Sequence, residues 1–148
     1  MATEINKSRI LSIDYGSRRI GVAISDPLQI LAQPLPTIQV VNLKQTLREI
    51  KKIVAERDVS KIVVGMPFHL KGTVGQTAQQ VEAFIEALER RVDVPIQKWD
   101  ERFSSIAAEK IIREMGKSPH RHRDKIDQIA ALLILQSYLD YLNSKKKS

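Results

Sequence analysis

The stretch Arg9-Ile-Leu-Ser-Ile-Asp14-Tyr-Gly-Ser-Arg-Arg-Ile-Gly-Val-Ala-Ile24 constrains the fold of this chain more than any other. It reads as two apolar strands joined by a short polar turn, and the first strand ends on a carboxylate. Alternation puts Ile10, Ser12 and Asp14 on one face and Leu11, Ile13 and Tyr15 on the other. Both faces are largely apolar, so the strand is expected to be central and covered on both sides. Gly16 permits a tight turn just past Asp14. Ile20 to Ile24 is expected to pair back as a hairpin. An acid at the end of a buried strand is unfavourable unless something pairs with it, so its partners must be sought elsewhere in the chain.

Asp26-Pro27 ends the hairpin, because proline cannot continue a central ladder. Leu35, Ile38, Val40 and Val41 are available for a third strand. Leu43, Leu47, Ile50 and Val54 then form one apolar stripe of a helix, with Lys44, Arg48, Lys51 and Lys52 outside it. Lys61-Ile-Val-Val-Gly65 follows as a short buried strand and completes a β-α-β unit whose strands run parallel. A glycine-rich loop from Gly65 to Gly75 leads into a helix over 76–91, with Ala78, Val81, Ile85 and Leu88 on one face. Val94 to Trp99 is a fifth strand, closed by Asp100-Glu101-Arg102. Ser104 to Met115 is a short helix with Ala107, Ala108, Ile111, Ile112 and Met115 toward the core, stopped by Gly116. A basic segment, Lys117 to Lys125, precedes a last helix over 126–142. The 148 residues show no repeat, linker or composition shift. One domain over 1–148 is expected, with loose ends at 1–8 and 144–148. Its architecture is α/β: a five-stranded mixed sheet with helices on both faces.

The acids fall at element ends. Asp14 ends the first strand, Asp100 and Glu101 end the fifth, and Asp127 lies in the first turn of the last helix. Ala130 and Ala131 share a face with Asp127. Small residues there would let the helix lie close on the sheet and bring Asp127 to the strand ends. Converging carboxylates repel one another unless a cation sits among them, and hard oxygen ligands suit Mg²⁺ or Mn²⁺. Two such ions can activate a water and stabilise the leaving oxygen of a phosphodiester. Each acid also has a plainer role: Asp127 at a helix N-terminus, Asp100 capping the next helix or pairing with Arg102, Asp14 holding its turn.

Charge points the same way. A formal net charge of +7 suits a polyanionic partner. Arg18, Arg19, Arg102 and, in the basic segment, Arg121, Arg123 and Lys125 are candidate phosphate contacts. Lys145 to Lys147 reads as a solvated tail. His69, His120 and His122 are not at metal-ligand spacing and read as exposed surface. Aromatic residues make up only 5% of the chain, which favours recognition of backbone and shape over base reading. Tyr15 and Phe68 could stack on bases, while Trp99 reads as packing. Without cysteine there is neither a disulfide framework nor a thiolate metal site. No leader and no membrane-length apolar run is present, so a cytoplasmic protein is expected.

Four motifs together resemble the YqgF family, also called RuvX: Ile13-Asp14-Tyr-Gly-Ser-Arg-Arg-Ile-Gly-Val-Ala23; Val64-Gly-Met-Pro67 with Gly72 and Gly75; Trp99-Asp-Glu-Arg-Phe-Ser-Ser105 with Ala107, Ala108 and Glu109; and Lys125-Ile-Asp-Gln-Ile-Ala-Ala131. The likeness covers roughly residues 9 to 142. It implies a ribonuclease H-like fold and a metal-dependent nuclease. The family is linked to maturation of the 5′ end of the small-subunit ribosomal RNA precursor, and was earlier proposed to resolve Holliday junctions. Its acidic site carries over onto Asp14, Asp100-Glu101 and Asp127 as catalytic and metal-holding residues, with the choice between Asp100 and Glu101 left open. His69 and Lys71 depart from the usual loop residues, and Lys71 would add a phosphate contact. Phe103 replaces a usual leucine. Three further readings stand beside the RNA nuclease: a DNA junction resolvase, which would need two active sites and hence a homodimer; a non-catalytic RNA-binding assembly factor; and one lobe of an actin-like ATP-binding fold, with monomer or homodimer left open.

Overall fold

The computed structural model describes residues 9–67, 75–100 and 104–146. Lys71, Glu101, Arg102 and the loop positions Phe68, His69 and Gly72 therefore lie outside the described residues.

The hairpin forms as its alternation requires. β1 (Arg9–Asp14) and β2 (Arg19–Ser25) pair antiparallel, Asp14 opposite Gly21 and Ser12 opposite Ala23. β3 (Ala32–Gln39) adds antiparallel to β2. α1 (Leu43–Glu56) starts at Asn42, whose side-chain oxygen accepts from the Gln45 amide at 2.8 Å, a helix-start signal in the residue just before the apolar stripe. After α1 the chain returns as β4 (Val59–Met66), which lies parallel to β1. α2 (Gly75–Glu89) then leads to β5 (Ile96–Asp100), parallel to β4. The sheet order is β3-β2-β1-β4-β5. β1 is its central strand, as two apolar faces demanded. The strands flanking α1 do run parallel, though β2 and β1 lie between them.

Alternation along the strands divides the core. Leu11, Ile13, Ile20, Val22, Ile62 and Val64 point to one face, where Leu47 and Ile50 of α1 and Val81, Ile85 and Leu88 of α2 cover them. Phe84 joins this core too, outside the stripe read from sequence. Ile10, Ala23 and Val63 point to the other face, covered by α4 (Arg123–Lys146) through Ala131, Ile134, Leu135, Tyr138 and Leu139. α3 (Ser104–Glu114) packs on α4 rather than on the sheet. It ends where expected: Gly116 has a φ of +78°. The Lys117 amide reaches back to the Ile112 carbonyl and the Gly116 amide to that of Arg113, closing a Schellman cap.

Four expectations need correction. Met115 is 55% exposed, because the cap turns the chain before that residue can reach α4. Val41 is exposed because β3 ends before it, at Gln39, and Leu43 because the buried face of α1 begins only at Thr46. β5 begins at Ile96 instead of Val94. α4 begins at Arg123, so Asp127 sits in its second turn. Among the described residues no helix is long and apolar enough to cross a membrane.

Candidate active site

The distance between α4 and the sheet decides what Asp14 can meet. Ser12 is fully buried, and its hydroxyl donates to the Ala131 carbonyl at 2.8 Å. Ala130 and Ala131 are fully buried as well. At Gly21 a Cβ would run into the main-chain carbonyl of Asp127, and would stand 3.3 Å from the Asp127 Cβ. Only glycine fits there. The small-residue stripe of α4 and the glycine of β2 thus meet, and the helix lies directly on the strand.

Gly21 is the register partner of Asp14. Paired residues project to the same face, and Ser12, two residues before Asp14, points at α4. Asp14 therefore lies on the α4 face at the end of β1, with Asp127 on the far side of Gly21. The structure brings these two acids together, although 113 positions separate them in the chain. Arg19, two residues before Gly21, projects to the same face. Its Nε donates to Asp127 Oδ2 at 2.7 Å. Both side chains are largely withdrawn from water, Arg19 26% and Asp127 19% exposed. Burial pushes the Asp127 carboxyl above its usual range. The hydrogen bond and charge of Arg19 pull it partly back, Asp124 pushes it up further, and Arg123 pulls it down.

Asp100 is placed differently. Trp99 belongs to the α4-side cluster, whereas Lys98 forms an ion pair with Glu82 of α2 at 2.6 Å. Asp100 alternates with Trp99 and so lies on the α2 face, at the rim of a cleft lined by Met66, Pro67, Ala78 and Glu82. The reading of Trp99 as packing holds: its ring meets Tyr138 edge-on at 5.0 Å, and its Nε1 donates to Ser137. Tyr15, a candidate for base stacking, packs against Phe84 at 4.7 Å.

The expected phosphate contacts differ in exposure. Arg18 is exposed in the β1–β2 turn, and Arg121, Arg123 and Lys125 are exposed where the 3-10 turn Pro119–Arg121 enters α4. Arg19 is the exception, because its guanidinium faces Asp127. Sequence reading also missed what sets the register of α4. Gln128 donates to the Leu35 carbonyl and Gln136 to that of Ile30. Gln136 also accepts from the Ala32 amide, and Asn143 donates to the Gln29 carbonyl. These amide side chains recur at intervals of eight and seven, a helical stripe visible in the sequence once its partner is known to be the β3 edge.

Carboxylate oxygens and no soft ligand are what a hard divalent cation takes. A largely buried carboxylate already drawing a cation, Arg19, fits such an ion. Among the described residues no three acidic or histidine side chains close around one point.

Solved structures share this fold. RuvC of Thermus thermophilus superimposes with a TM-score of 0.58 over 92% of this chain and 96% of its own, at 12% identity. The Holliday junction resolvase of Fowlpox virus gives 0.54 over 90% and 99%, at 11% identity. The fold is thus the ribonuclease H-like α/β fold of the resolvases. A family model described as RuvX, Holliday junction resolvase, matches residues 8–141, and the chain belongs to that family. Relatives from Chloroflexus aggregans and Listeria monocytogenes are 42% and 43% identical. They align with 92% and 91% of this chain and with 96% and 99% of their own. Each carries the name "Putative pre-16S rRNA nuclease".

Proposed function

We propose that this protein is a metal-dependent nuclease that hydrolyses phosphodiesters in the 5′ region of the small-subunit ribosomal RNA precursor, in the cytoplasm. The observation that carries the reading is the pair Asp14 and Asp127, side by side across Gly21 on one face of the sheet. Paired carboxylates can hold the divalent cations that activate a water against a backbone phosphate, and the names of the relatives point to the substrate.

Asp14, Asp127 and one of the adjacent acids Asp100 and Glu101 would hold Mg²⁺ or Mn²⁺, and the choice between those two stays open because Glu101 lies outside the described residues. The cation supplies an activated water and stabilises charge on the leaving oxygen. The remaining work falls to the protein. Gly21 keeps α4 against β2, so the Asp127 carboxylate cannot retreat from Asp14. Arg18, Arg121, Arg123 and Lys125, all exposed, would grip backbone phosphates. Lys71 and Arg102 belong to the same proposed surface by sequence alone.

Asp14→Asn tests the reading. The variant should lose Mn²⁺-dependent cleavage of a precursor RNA 5′ leader by at least ~10²-fold. Its affinity for that RNA should stay the same or rise, because a repelling charge is gone. Retained cleavage would refute the site. The resemblance in fold to junction resolvases favours one second reading, action on a DNA four-way junction as a homodimer. The same assay run on a junction with and without manganese separates the two, and metal-independent binding alone would mark an assembly factor.

A further inference from the structure

We propose that Arg19 is the resident counter-cation of this site: its guanidinium occupies Asp127 until a divalent cation takes that carboxylate, and metal binding displaces it. The inference rests on the reading of Asp14 and Asp127 as metal ligands.

Three observations support it. The Arg19 Nε meets Asp127 Oδ2 at 2.7 Å, so one oxygen facing the site is already held by a positive group. Both side chains are largely withdrawn from water, so solvent cannot take over that role cheaply. The Arg19 main chain belongs to the sheet, with Arg19 opposite Gln39 and Ile20 opposite Ile38 in β3. The backbone therefore stays in place while the long side chain can swing. A guanidinium and a divalent ion on one carboxylate repel each other at this short range, so binding of the ion weakens the hold of Arg19 on Asp127. Arg19 thus acts as a positioning residue. It keeps the Asp127 side chain aimed over Gly21 in the metal-free protein, so little rearrangement is needed when the ion arrives. An ion pair of purely architectural purpose would persist after metal binding.

Mn²⁺ binding followed by the EPR signal of the free ion tests this without reference to cleavage. Arg19→Gln should bind Mn²⁺ roughly fivefold to tenfold more tightly than wild type, because a competing charge-assisted hydrogen bond is gone. Arg19→Lys, which keeps the charge, should fall between the two. In the wild-type protein the Arg19 Nε–H resonance, assigned by its absence in Arg19→Gln, should shift and exchange faster with water at saturating Mg²⁺. Equal or weaker Mn²⁺ binding by Arg19→Gln overturns the proposal, as does an Nε–H resonance that Mg²⁺ leaves unmoved. If wild type binds Mn²⁺ and Asp14→Asn does not, the site stands and only the role of Arg19 is at stake. If Asp14→Asn binds as wild type does, the site reading fails and this inference with it.

Discussion

Asp127 carries two opposed influences. Removal from water favours its protonated form, and the Arg19 guanidinium favours the charged one; the first is stronger, and the carboxyl is raised above the ordinary 3.8. A carboxyl that holds its proton more tightly folded than unfolded adds stability below about pH 3.8, and loses it as pH rises through the raised value. In the metal-free protein, kept so with a chelator, wild type and Asp127→Asn should therefore melt nearly together at acid pH. Asp127→Asn should become the more stable of the two as pH rises toward 7. Melting curves across that range check the sign: a gap that shrinks or inverts would mean that the Arg19 attraction outweighs burial. Raising Mg²⁺ at neutral pH should close the gap by stabilising only the wild type.

At the scale of elements, the contact between α4 and β2 governs the site. Helices and sheets usually pack with side chains between them. Here the Gly21 backbone meets the Asp127 carbonyl with nothing between. Gly21→Ala forces a Cβ against main chain, which no rotamer change relieves. It should destabilise the fold by about 3 kcal/mol, the upper part of the range for overpacked cores. Activity should fall further than stability explains, because α4 must lift and carry Asp127 away from Asp14. Urea titration and cleavage rate measured on the same sample separate the two effects. The amide stripe of Gln128, Gln136 and Asn143 belongs to this scale too. It ties α4 to the β2–β3 turn and the β3 edge along most of its length, so the helix can neither slide nor rotate without losing several hydrogen bonds at once.

Over the whole molecule, charge is distributed by face. The basic residues of α1 lie on the outer side of the helix that covers the α1–α2 face. Arg121, Arg123 and Lys125 gather where α4 begins, one turn from Asp127. Only the second group belongs to the proposed substrate surface. Replacing Arg121, Arg123 or Lys125 with glutamine should flatten the dependence of log K on log salt by about 0.7–0.9 per residue, the amount expected for one lost phosphate contact. Lys44→Gln or Lys51→Gln should leave that slope unchanged. RNA binding measured between about 50 and 200 mM salt reports the difference.

Sequence alone determined the elements and the faces within them. Alternation in 9–24 specified the central hairpin, and the stripes of α1 and α2 named their buried sides. Asp14, Asp100, Glu101 and Asp127 stand out in the sequence as candidate site residues by their places at element ends. These properties are local, because side-chain direction repeats every two residues in a strand and every 3.6 in a helix. The tertiary structure decided what depends on distant partners: that Asp100 faces α2 while Asp14 faces α4, that Met115 turns outward, and that Arg19 spends its charge on Asp127. The last two residues meet across 108 positions of chain. No periodicity encodes such a meeting. It exists only because a glycine on β2 and a pair of alanines on α4 leave no room for the helix to sit anywhere else.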